Sequence, residues 1–230
     1  MEQVKVGVVI VAGGSGSRMG GAIPKQFALV DGEPILVKTI NNFAEAFPTA
    51  KIVVVLPAAQ MDFWKNYSAR FRVARHTTVE GGEQRFYSVK NGIEAIREQV
   101  DIIAIQDGVR PFGSKQMILD AAQCAVKNGS AIPVIDAVDS FREVTDSGSH
   151  IIDRTKLRVV QTPQIFEASL IRAAYDTQFD SSFTDDASVV EHTTSHRVVL
   201  CSGERTNIKI TTPDDMVIAV AIAKAIKESR

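Results

Sequence analysis

Short runs of β-branched residues alternate with helical periods along this chain, and this alternation constrains its fold more than any other feature. Residues 4–11, Lys51–Leu56 and residues 101–106 are runs dominated by β-branched apolar side chains, as in parallel strands that are buried on both faces. Between these runs, apolar side chains recur three and four positions apart, for example in residues 35–47 and 86–96. The sequence therefore predicts an α/β fold with a doubly wound, mostly parallel sheet and helices on both faces.

A stretch at about residues 137–160 breaks this alternation. It reads strand, turn, strand with no intervening helix, and Gly148 falls in the turn. This pattern predicts a β-hairpin arm that protrudes from the α/β fold. No internal repeat, low-complexity tract or linker divides the sequence, so we expect a single domain over residues 1–230 that carries this arm.

The charge balance excludes several classes of partner. The chain has 26 Lys plus Arg and 27 Asp plus Glu, which gives a net charge of -1. A protein that binds nucleic acid or an anionic membrane would carry a basic excess, so we expect neither partner. The longest unbroken apolar run, residues 216–223, is too short to span a bilayer. An anionic ligand must therefore be bound by a local group of cations.

The cysteines and the first residues favour the cytoplasm. Cys124 and Cys201 lie in apolar segments without a CxxC spacing, which is typical of buried, reduced thiols. The N-terminal residues lack the charged-then-apolar order of a signal peptide. We therefore expect a cytoplasmic protein.

A glycine-rich loop follows the first predicted strand, at the edge where an open α/β sheet binds its ligands. Its backbone amides can bind phosphate oxygens. The dinucleotide fingerprint does not fit, because Met19 stands where its third glycine should be, and the P-loop Gly-Lys pair is absent. Arg18 and Lys25 are suited to stabilise charge on a phosphoryl group, although each could be an ordinary surface cation. The segment reads Ala12-Gly13-Gly14-Ser15-Gly16-Ser17-Arg18-Met19, and Pro24-Lys25-Gln26 follows.

Further motifs make the pattern specific to one enzyme family. In order, they are residues 80–85 (EGGEQR) with Ser88, residues 106–111 (QDGVRP), Asp153-Arg154, residues 161–164 (QTPQ), residues 184–188 (TDDAS) and residues 207–211 (NIKIT). With the glycine-rich loop, this series resembles the 2-C-methyl-D-erythritol 4-phosphate cytidylyltransferases of the non-mevalonate isoprenoid pathway. The resemblance extends over roughly residues 5 to 220.

This resemblance implies a Rossmann-like nucleotidyltransferase fold and a reaction. CTP and 2-C-methyl-D-erythritol 4-phosphate would give 4-diphosphocytidyl-2-C-methyl-D-erythritol and pyrophosphate. Mg²⁺ or another divalent cation would be held mainly by the CTP phosphates, with no metal ligand from the protein. The enzyme would act by alignment and by stabilising charge.

The resemblance also implies roles for individual residues. The catalytic residues would be Arg18 and Lys25, which stabilise the transition state at the α-phosphate. The CTP-binding residues would be Ala12, Gly13, Gly14, Gly16, Gly82, Glu83 and Ser88. The substrate-positioning residues would be Arg154 and Lys209, which bind the phosphate of the alcohol, Asp107, which reaches a substrate hydroxyl or the ribose region, and Arg110 and Thr162.

Two alternative functions remain open. Ribitol 5-phosphate cytidylyltransferases share several of these motifs, so ribitol 5-phosphate or another alditol phosphate is an alternative substrate. A non-catalytic nucleotide-binding module with the same fold is the other alternative, but such a module has little need for cations on both substrates.

Three other features have structural explanations that we favour. His192 and His196 are spaced for a metal, but a third ligand is lacking, so we expect solvated histidines. Asp185-Asp186 could bind Mg²⁺, but beside Thr184 it fits the start of a capped helix better. The aromatic residues at 63, 64, 67 and 71 fit the core-facing side of one helix better than a stacking platform.

The predicted hairpin is expected to mediate homodimerisation. Its apolar residues Phe141, Val144, Ile151 and Ile152 have no helix of their own chain to cover them. Isolated hairpins are only marginally stable in water. Because the resemblance also gives Arg154 a role in the substrate site, we expect each arm to complete or brace its neighbour's site across a two-fold axis. A flap folded on its own sheet is the alternative.

Overall fold

The computed structural model describes residues 4–13 and 23–228, and its centre is an eight-stranded, mostly parallel sheet. The strands are β1 (Val6–Val11), β2 (Leu29–Val30), β3 (Glu33–Pro34), β4 (Lys51–Leu56), β5 (Thr77–Glu80), β6 (Ile102–Asp107), β7 (Ser130–Asp136), β8 (Phe141–Thr145), β9 (Gly148–Ile152), β10 (Arg158–Val160), β11 (Gln164–Glu167) and β12 (Leu200–Ser202). The main sheet has the order β10-β7-β11-β6-β1-β4-β5, and β12 pairs with β7.

Helices cover both faces of this sheet, as the alternation predicts. Side chains of β1 point alternately to the two sides: Val8 and Ile10 belong to one buried cluster and Val9 to the other. The helices are α1 (Ile35–Ala46), α2 (Ala58–Ser68), α3 (Arg85–Ala95), α4 (Lys115–Asn128), α5 (Ala168–Ala174), α6 (Asp186–Thr193) and α7 (Pro213–Glu228). The first cluster includes residues of α1, α2 and α4, and the second includes residues of α3, α5 and α6. The predicted doubly wound α/β fold is confirmed.

The register of the central strands brings their carboxyl ends to one edge of the sheet. Val11, the last residue of β1, is paired in parallel with Val55 of β4 and with Asp107 of β6. The antiparallel strand β11 pairs with β6 on its other side, with Gln164 opposite Ile105. The residues that follow β1 and those that precede β11 therefore meet beside Asp107.

The hairpin forms, but it is shorter than the predicted arm at residues 137–160. Strands β8 and β9 pair only with each other, from Phe141 opposite Ile152 to Thr145 opposite Gly148. Gly148 has a φ of 139°, a conformation that side chains rarely adopt. The chain then returns to the main sheet, where Arg158–Val160 pairs with β7. The arm is shorter than predicted because Arg158–Val160 forms backbone hydrogen bonds with β7 at the edge of the main sheet instead of extending the hairpin.

One of the structural explanations is confirmed and another is confirmed in part. Trp64 is buried and stacks on Phe27, with ring centroids 5.5 Å apart, and Tyr67 and Phe71 are partly buried against the same core. Phe63 is 41% exposed, and Phe71 lies beyond the end of α2. Asp185 caps α6 through a reciprocal capping box with Ser188.

One histidine and both cysteines differ from expectation. His192 is exposed, as expected for a solvated side chain, but His196 is half-buried and lies 2.9 Å from the Ser130 hydroxyl. Cys124 and Cys201 are free but only half-buried, because they flank the core rather than fill it. Burial raises the pKa of Cys201 to about 12, so its thiol stays protonated at neutral pH. No helix in the described ranges has the length and apolar character to cross a membrane.

Candidate active site

Asp107 is the centre of a buried charged cluster at the carboxyl edge of the sheet. Its side chain is 10% exposed, and its backbone N–H donates to the Thr162 hydroxyl at 3.0 Å. Lys209 and Arg110 contact the carboxylate oxygen Oδ2 at 3.0 and 3.2 Å. Arg85 approaches the other oxygen, Oδ1, at 3.8 Å. Three cations therefore surround one carboxylate.

These cations keep Asp107 ionised. Burial by itself would raise the pKa of this carboxyl, but the attraction of Arg85, Lys209 and Arg110 outweighs burial. The net result is a pKa below the ordinary value for aspartate. At neutral pH, Asp107 is therefore a carboxylate that can accept a hydrogen bond from a ligand hydroxyl.

Lys209 and Arg110 serve this cluster in different ways. The Lys209 side chain is 43% exposed, so its ammonium group is accessible to a ligand while Asp107 holds it in place. The Arg110 side chain is largely buried, and its Nη1 donates to the Asn207 carbonyl at 2.8 Å. The amide of Asn207 in turn donates to the Thr162 carbonyl at 2.9 Å. Arg110 and Thr162 therefore fix the backbone around Lys209, and their polar groups are already used within the protein.

The end of β1 and the turn before α3 bring together four of the residues predicted to bind CTP. The Gly82 N–H donates to the buried Ser88 hydroxyl at 3.1 Å. A Cβ atom on Gly13 would lie 3.9 Å from the same hydroxyl, so the start of the glycine-rich loop faces this turn. Ala12 precedes it and is hydrogen-bonded to Val55 of β4 at 2.9 Å. Gly82 and its neighbour Glu83 are exposed, which leaves their backbone and side chain open to a ligand.

Lys25 is held close to this loop by its neighbour. Lys25–Phe27 forms a short 3₁₀ helix, and the buried Gln26 amide donates to the Ala12 carbonyl at 2.9 Å. The same amide donates to Gln60 at 2.5 Å. Gln26 thus ties the Pro24-Lys25-Gln26 motif to the end of β1, while Lys25 itself is half-buried. Gly14, Gly16 and Arg18 lie outside the described residues.

Arg154 is not part of either cluster. It begins the short 3₁₀ helix after β9, and its side chain is exposed and donates to the Val138 carbonyl at the base of the arm. In the described part of this chain, no hydrogen bond or ion pair joins Arg154 to Asp107 or Lys209. The two cations to which the resemblance gives the same phosphate therefore have different partners in the described part of the chain.

Sequence reasoning missed the Arg85–Asp186 pair behind Asp107. The two Nη atoms of Arg85 donate to the two carboxylate oxygens of Asp186 at 2.8 and 2.7 Å. The Tyr175 hydroxyl also donates to Asp186, at 2.6 Å. Arg85 belongs to the EGGEQR motif and Asp186 to TDDAS, so their presence in two motifs was the available signal. Their separation of 101 residues hid the contact.

Comparison with known proteins identifies the family. Residues 6–225 match the family described as IspD, 2-C-methyl-D-erythritol 4-phosphate cytidylyltransferase. The chain belongs to this family. The match covers both clusters described above, so the predicted recognition is confirmed and so is the enzyme class, a nucleotidyltransferase of isoprenoid biosynthesis. Membership in this family favours 2-C-methyl-D-erythritol 4-phosphate over ribitol 5-phosphate as the substrate.

Named relatives and solved structures agree with this assignment. The chain is 45% identical to 2-C-methyl-D-erythritol 4-phosphate cytidylyltransferase of Phocaeicola vulgatus over 92% of this chain and 96% of the relative. It is 44% identical to that of Bacteroides thetaiotaomicron over 95% and 100% of the two chains. The crystal structure of 4-diphosphocytidyl-2C-methyl-D-erythritol synthase from Anaerococcus prevotii is similar, with a TM-score of 0.81, 27% identity and 96% of both chains covered. The Thermus thermophilus cytidylyltransferase gives a TM-score of 0.77 at 28% identity, over 96% and 100% of the chains.

Proposed function

We propose that this cytidylyltransferase aligns CTP with 2-C-methyl-D-erythritol 4-phosphate at the carboxyl edge of its sheet, within a single catalytic domain. The observation that carries the proposal is the half-exposed Lys209, which is anchored on the buried carboxylate of Asp107 next to the glycine-rich segment. The Gly108 N–H donates to the Val11 carbonyl at 2.8 Å, so the ends of β6 and β1 are adjacent. An anion on Lys209 would therefore lie beside a nucleotide on Ala12 and Gly13.

In this proposal, the reaction is an in-line displacement at phosphorus. An oxygen of the alcohol phosphate forms a bond to the α-phosphorus of CTP, and the bond from that phosphorus to the bridging oxygen of the β-phosphate breaks. Pyrophosphate leaves with the electron pair of that bond. No covalent bond to the protein forms, so the residues contribute alignment and charge stabilisation.

Each side of the site has a proposed role. Ala12, Gly13, Gly82 and Ser88 bind the cytidine part of CTP, with Gly14, Gly16 and Glu83 beside them. Lys209 binds the alcohol phosphate, and the carboxylate of Asp107 accepts a hydrogen bond from a substrate hydroxyl, with Arg110 and Thr162 as support. Arg18 and Lys25 stabilise the charge that accumulates at the α-phosphate.

Mg²⁺ or another divalent cation is proposed as the cofactor, where it neutralises charge on the triphosphate. No group of three or more His, Cys, Asp or Glu side chains is gathered within residues 4–13 and 23–228. Asp107 is already paired with three cations, so it has little capacity for a fourth. Since Mg²⁺ commonly keeps phosphate and water ligands, the proposal assigns it to the CTP phosphates rather than to protein side chains.

We further propose a homodimer in which the hairpin arm of each subunit supplies Arg154 to the site of the other. The support is that Arg154 has no contact with the Asp107 cluster of its own described chain. The arm also exposes apolar side chains that a partner surface would cover. A cytoplasmic location is proposed as well, because neither Cys124 nor Cys201 is in a disulfide.

The proposed function is tested by pyrophosphate release. The protein is incubated with CTP and Mg²⁺ and with either 2-C-methyl-D-erythritol 4-phosphate or ribitol 5-phosphate. We expect release with the first alcohol, and Lys25→Ala or Arg18→Ala should lower kcat by ~10²-fold or more. Lys127→Ala, which removes an exposed cation at the far end of α4, is the control and should retain full activity.

Three results would contradict the proposal. Release with ribitol 5-phosphate alone would change the substrate. CTP binding without release would indicate a binding module. A Lys25→Ala variant with normal kcat and a raised KM would show uniform substrate binding rather than transition-state stabilisation.

A further inference from the structure

Arg85 is a partly buried cation that the proposed reaction does not use. It is the first residue of α3, directly after the turn that contains Gly82. Both Nη atoms are bonded to Asp186, which is fully buried at the start of α6. Such a bidentate pair fixes the plane of the guanidinium group as well as its position.

Tyr175 supports the Arg85–Asp186 pair from behind, and it contacts both α3 and Asp186. Tyr175 is buried and donates its hydroxyl to Asp186, and its ring stacks on Phe86, with centroids 4.8 Å apart and planes at 19°. Phe86 is the neighbour of Arg85 in α3. Burial and the adjacent Asp186 carboxylate raise the pKa of Tyr175, so its hydroxyl stays protonated and remains a donor. Tyr175 therefore holds the Asp186 carboxylate, and that carboxylate holds the guanidinium.

The remaining side of the guanidinium faces Asp107. Its Nε atom lies 3.8 Å from Oδ1, which is too long for a hydrogen bond but close enough for strong charge attraction in a buried site. Oδ2 is contacted by Arg110 and Lys209. Within the described part of the chain, no hydrogen bond ends on Oδ1. With respect to residues 4–13 and 23–228, this oxygen is thus oriented by Arg85 and keeps its lone pairs available.

We propose that Arg85 is a positioning residue for the reaction: held by Asp186 and Tyr175, it turns Oδ1 of Asp107 toward the substrate hydroxyl. A clamp with a purely structural role would need only the Asp186 pair. The inference rests on the proposed role of Asp107 as the acceptor for that hydroxyl. The inference adds that Asp186 of α6, a residue with no proposed contact to either substrate, sets the orientation of the Asp107 carboxylate through Arg85.

The test compares two arginines that clamp opposite ends of α3. Arg85→Lys keeps the positive charge, but an ammonium group cannot donate two coplanar hydrogen bonds to Asp186 while it also faces Asp107. We expect kcat/KM for the alcohol phosphate to fall by roughly tenfold to a hundredfold, as for a misplaced reacting group, with CTP binding nearly unchanged. Arg172→Lys is the matched control, because Arg172 donates to the carbonyls of Ile93 and Ile96 at the other end. It should lower Tm without changing kcat/KM.

A pH profile provides a readout that a structural clamp would not change. The charged and titratable groups at Asp107 are Arg85 from α3, Arg110 after β6, Lys209 before α7, and Asp186 and Tyr175 behind Arg85. With Arg85→Gln, burial of Asp107 is less opposed, so the acid limb of kcat/KM should move to higher pH. It should not move with Arg172→Gln.

The possible outcomes separate this inference from the proposed function. If Arg85→Lys and Arg172→Lys lose similar stability and both keep kcat/KM and the acid limb, Arg85 is only a clamp and the inference is wrong. If an Arg85 variant fails to fold, Tyr175→Phe removes one hydroxyl and keeps the ring stack, and it should show a smaller drop in kcat/KM. An unchanged Tyr175→Phe profile would then overturn the inference. Failure of the proposed function would instead appear as an inactive wild-type enzyme.

Discussion

The two cations predicted for the alcohol phosphate, Lys209 and Arg154, lie in opposite environments. Lys209 is held at 3.0 Å by a buried carboxylate that the main sheet positions. Arg154 is exposed next to a hairpin whose strands pair only with each other. A side chain supported by a packed core is preorganised within its own chain. One supported by an isolated hairpin acquires a fixed position only against another surface.

The apolar residues of the two regions show the same contrast. The central strands of the main sheet are buried on both faces. In the arm, Val144 is 83% exposed and Ile151 is 72% exposed. The cost of this exposure is relieved only if a partner covers the arm. The contrast is therefore the basis for the proposed homodimer, in which Arg154 would reach the site of the partner subunit.

The largest expected effects come from removing each cation. Lys209→Ala should lower kcat/KM for the alcohol phosphate by about 10²-fold or more, because it removes the cation that is proposed to bind the reacting phosphate.

Arg154→Ala should weaken binding of the alcohol phosphate and leave CTP binding and Tm nearly unchanged. Titration calorimetry with each ligand measures this, and an equal loss of CTP affinity would contradict the role of Arg154.

Mixing variants determines whether Arg154 acts across the dimer. At alcohol phosphate concentrations that are too low to saturate the Arg154→Ala variant, Arg18→Ala and Arg154→Ala subunits are each expected to have low activity on their own. In a mixed dimer, one site can combine the intact Arg18 of one subunit with the intact Arg154 of the other, so part of the activity should return. If no activity returns although mixed dimers form, Arg154 acts within its own chain.

Polar substitutions in the arm should affect assembly next. Wild-type protein should show a mass near twice 25.0 kDa by light scattering. Val144→Asp combined with Ile151→Asp should give monomers, since two charges would have to be buried in the interface. Val217→Asp, on the 73% exposed side chain of Val217 in α7, is the control and should remain dimeric. A fully active wild-type monomer at micromolar concentration would disprove arm exchange.

Protonation of Asp107 in the main sheet should lower the free energy of unfolding at acid pH more than protonation of Asp153 next to the arm. The folded-state pKa of each is below the ordinary value of 3.8, so each stabilises the protein above that pH and loses this effect as the pH falls through the lower folded pKa. Asp107 is buried among cations, whereas Asp153 is exposed and bonded to Thr155. Urea unfolding between pH 5 and 2 should show a flatter dependence for Asp107→Asn and little change for Asp153→Asn. Equal slopes for Asp107→Asn and wild type would be the contrary result.

The smallest expected effects are local. Ser114 caps α4 by accepting a hydrogen bond from the Met117 N–H at 3.0 Å, so Ser114→Ala should lower the free energy of unfolding by about 1 kcal/mol. Gly148→Ala strains the arm turn at φ 139° but should change global unfolding less, because the arm lies outside the packed core. Denaturant titration measures both, and a larger global loss for Gly148→Ala would show that the arm is integral to the fold.

The fold and the family could be predicted because their signals are local. The β-branched run of Lys51–Leu56 and the apolar period of α1 follow directly from residue order. The hairpin turn could be placed at Gly148 because few residues other than glycine tolerate its backbone conformation. The return of Arg158–Val160 to the main sheet could not, since a short apolar segment pairs equally well with either of two edges.

The sequence by itself therefore determined the order and type of the elements and the motifs at their ends. Only the tertiary structure decided which side chains of those motifs meet. Asp107 could have bound a ligand alone, but the sheet register and the packing of α3 surround it with Arg85, Arg110 and Lys209. Contacts such as Arg85–Asp186, 101 residues apart, depend on how the helices pack on both faces of the sheet. Periodicity shows which face of a helix is buried, but not which distant residue packs against that face.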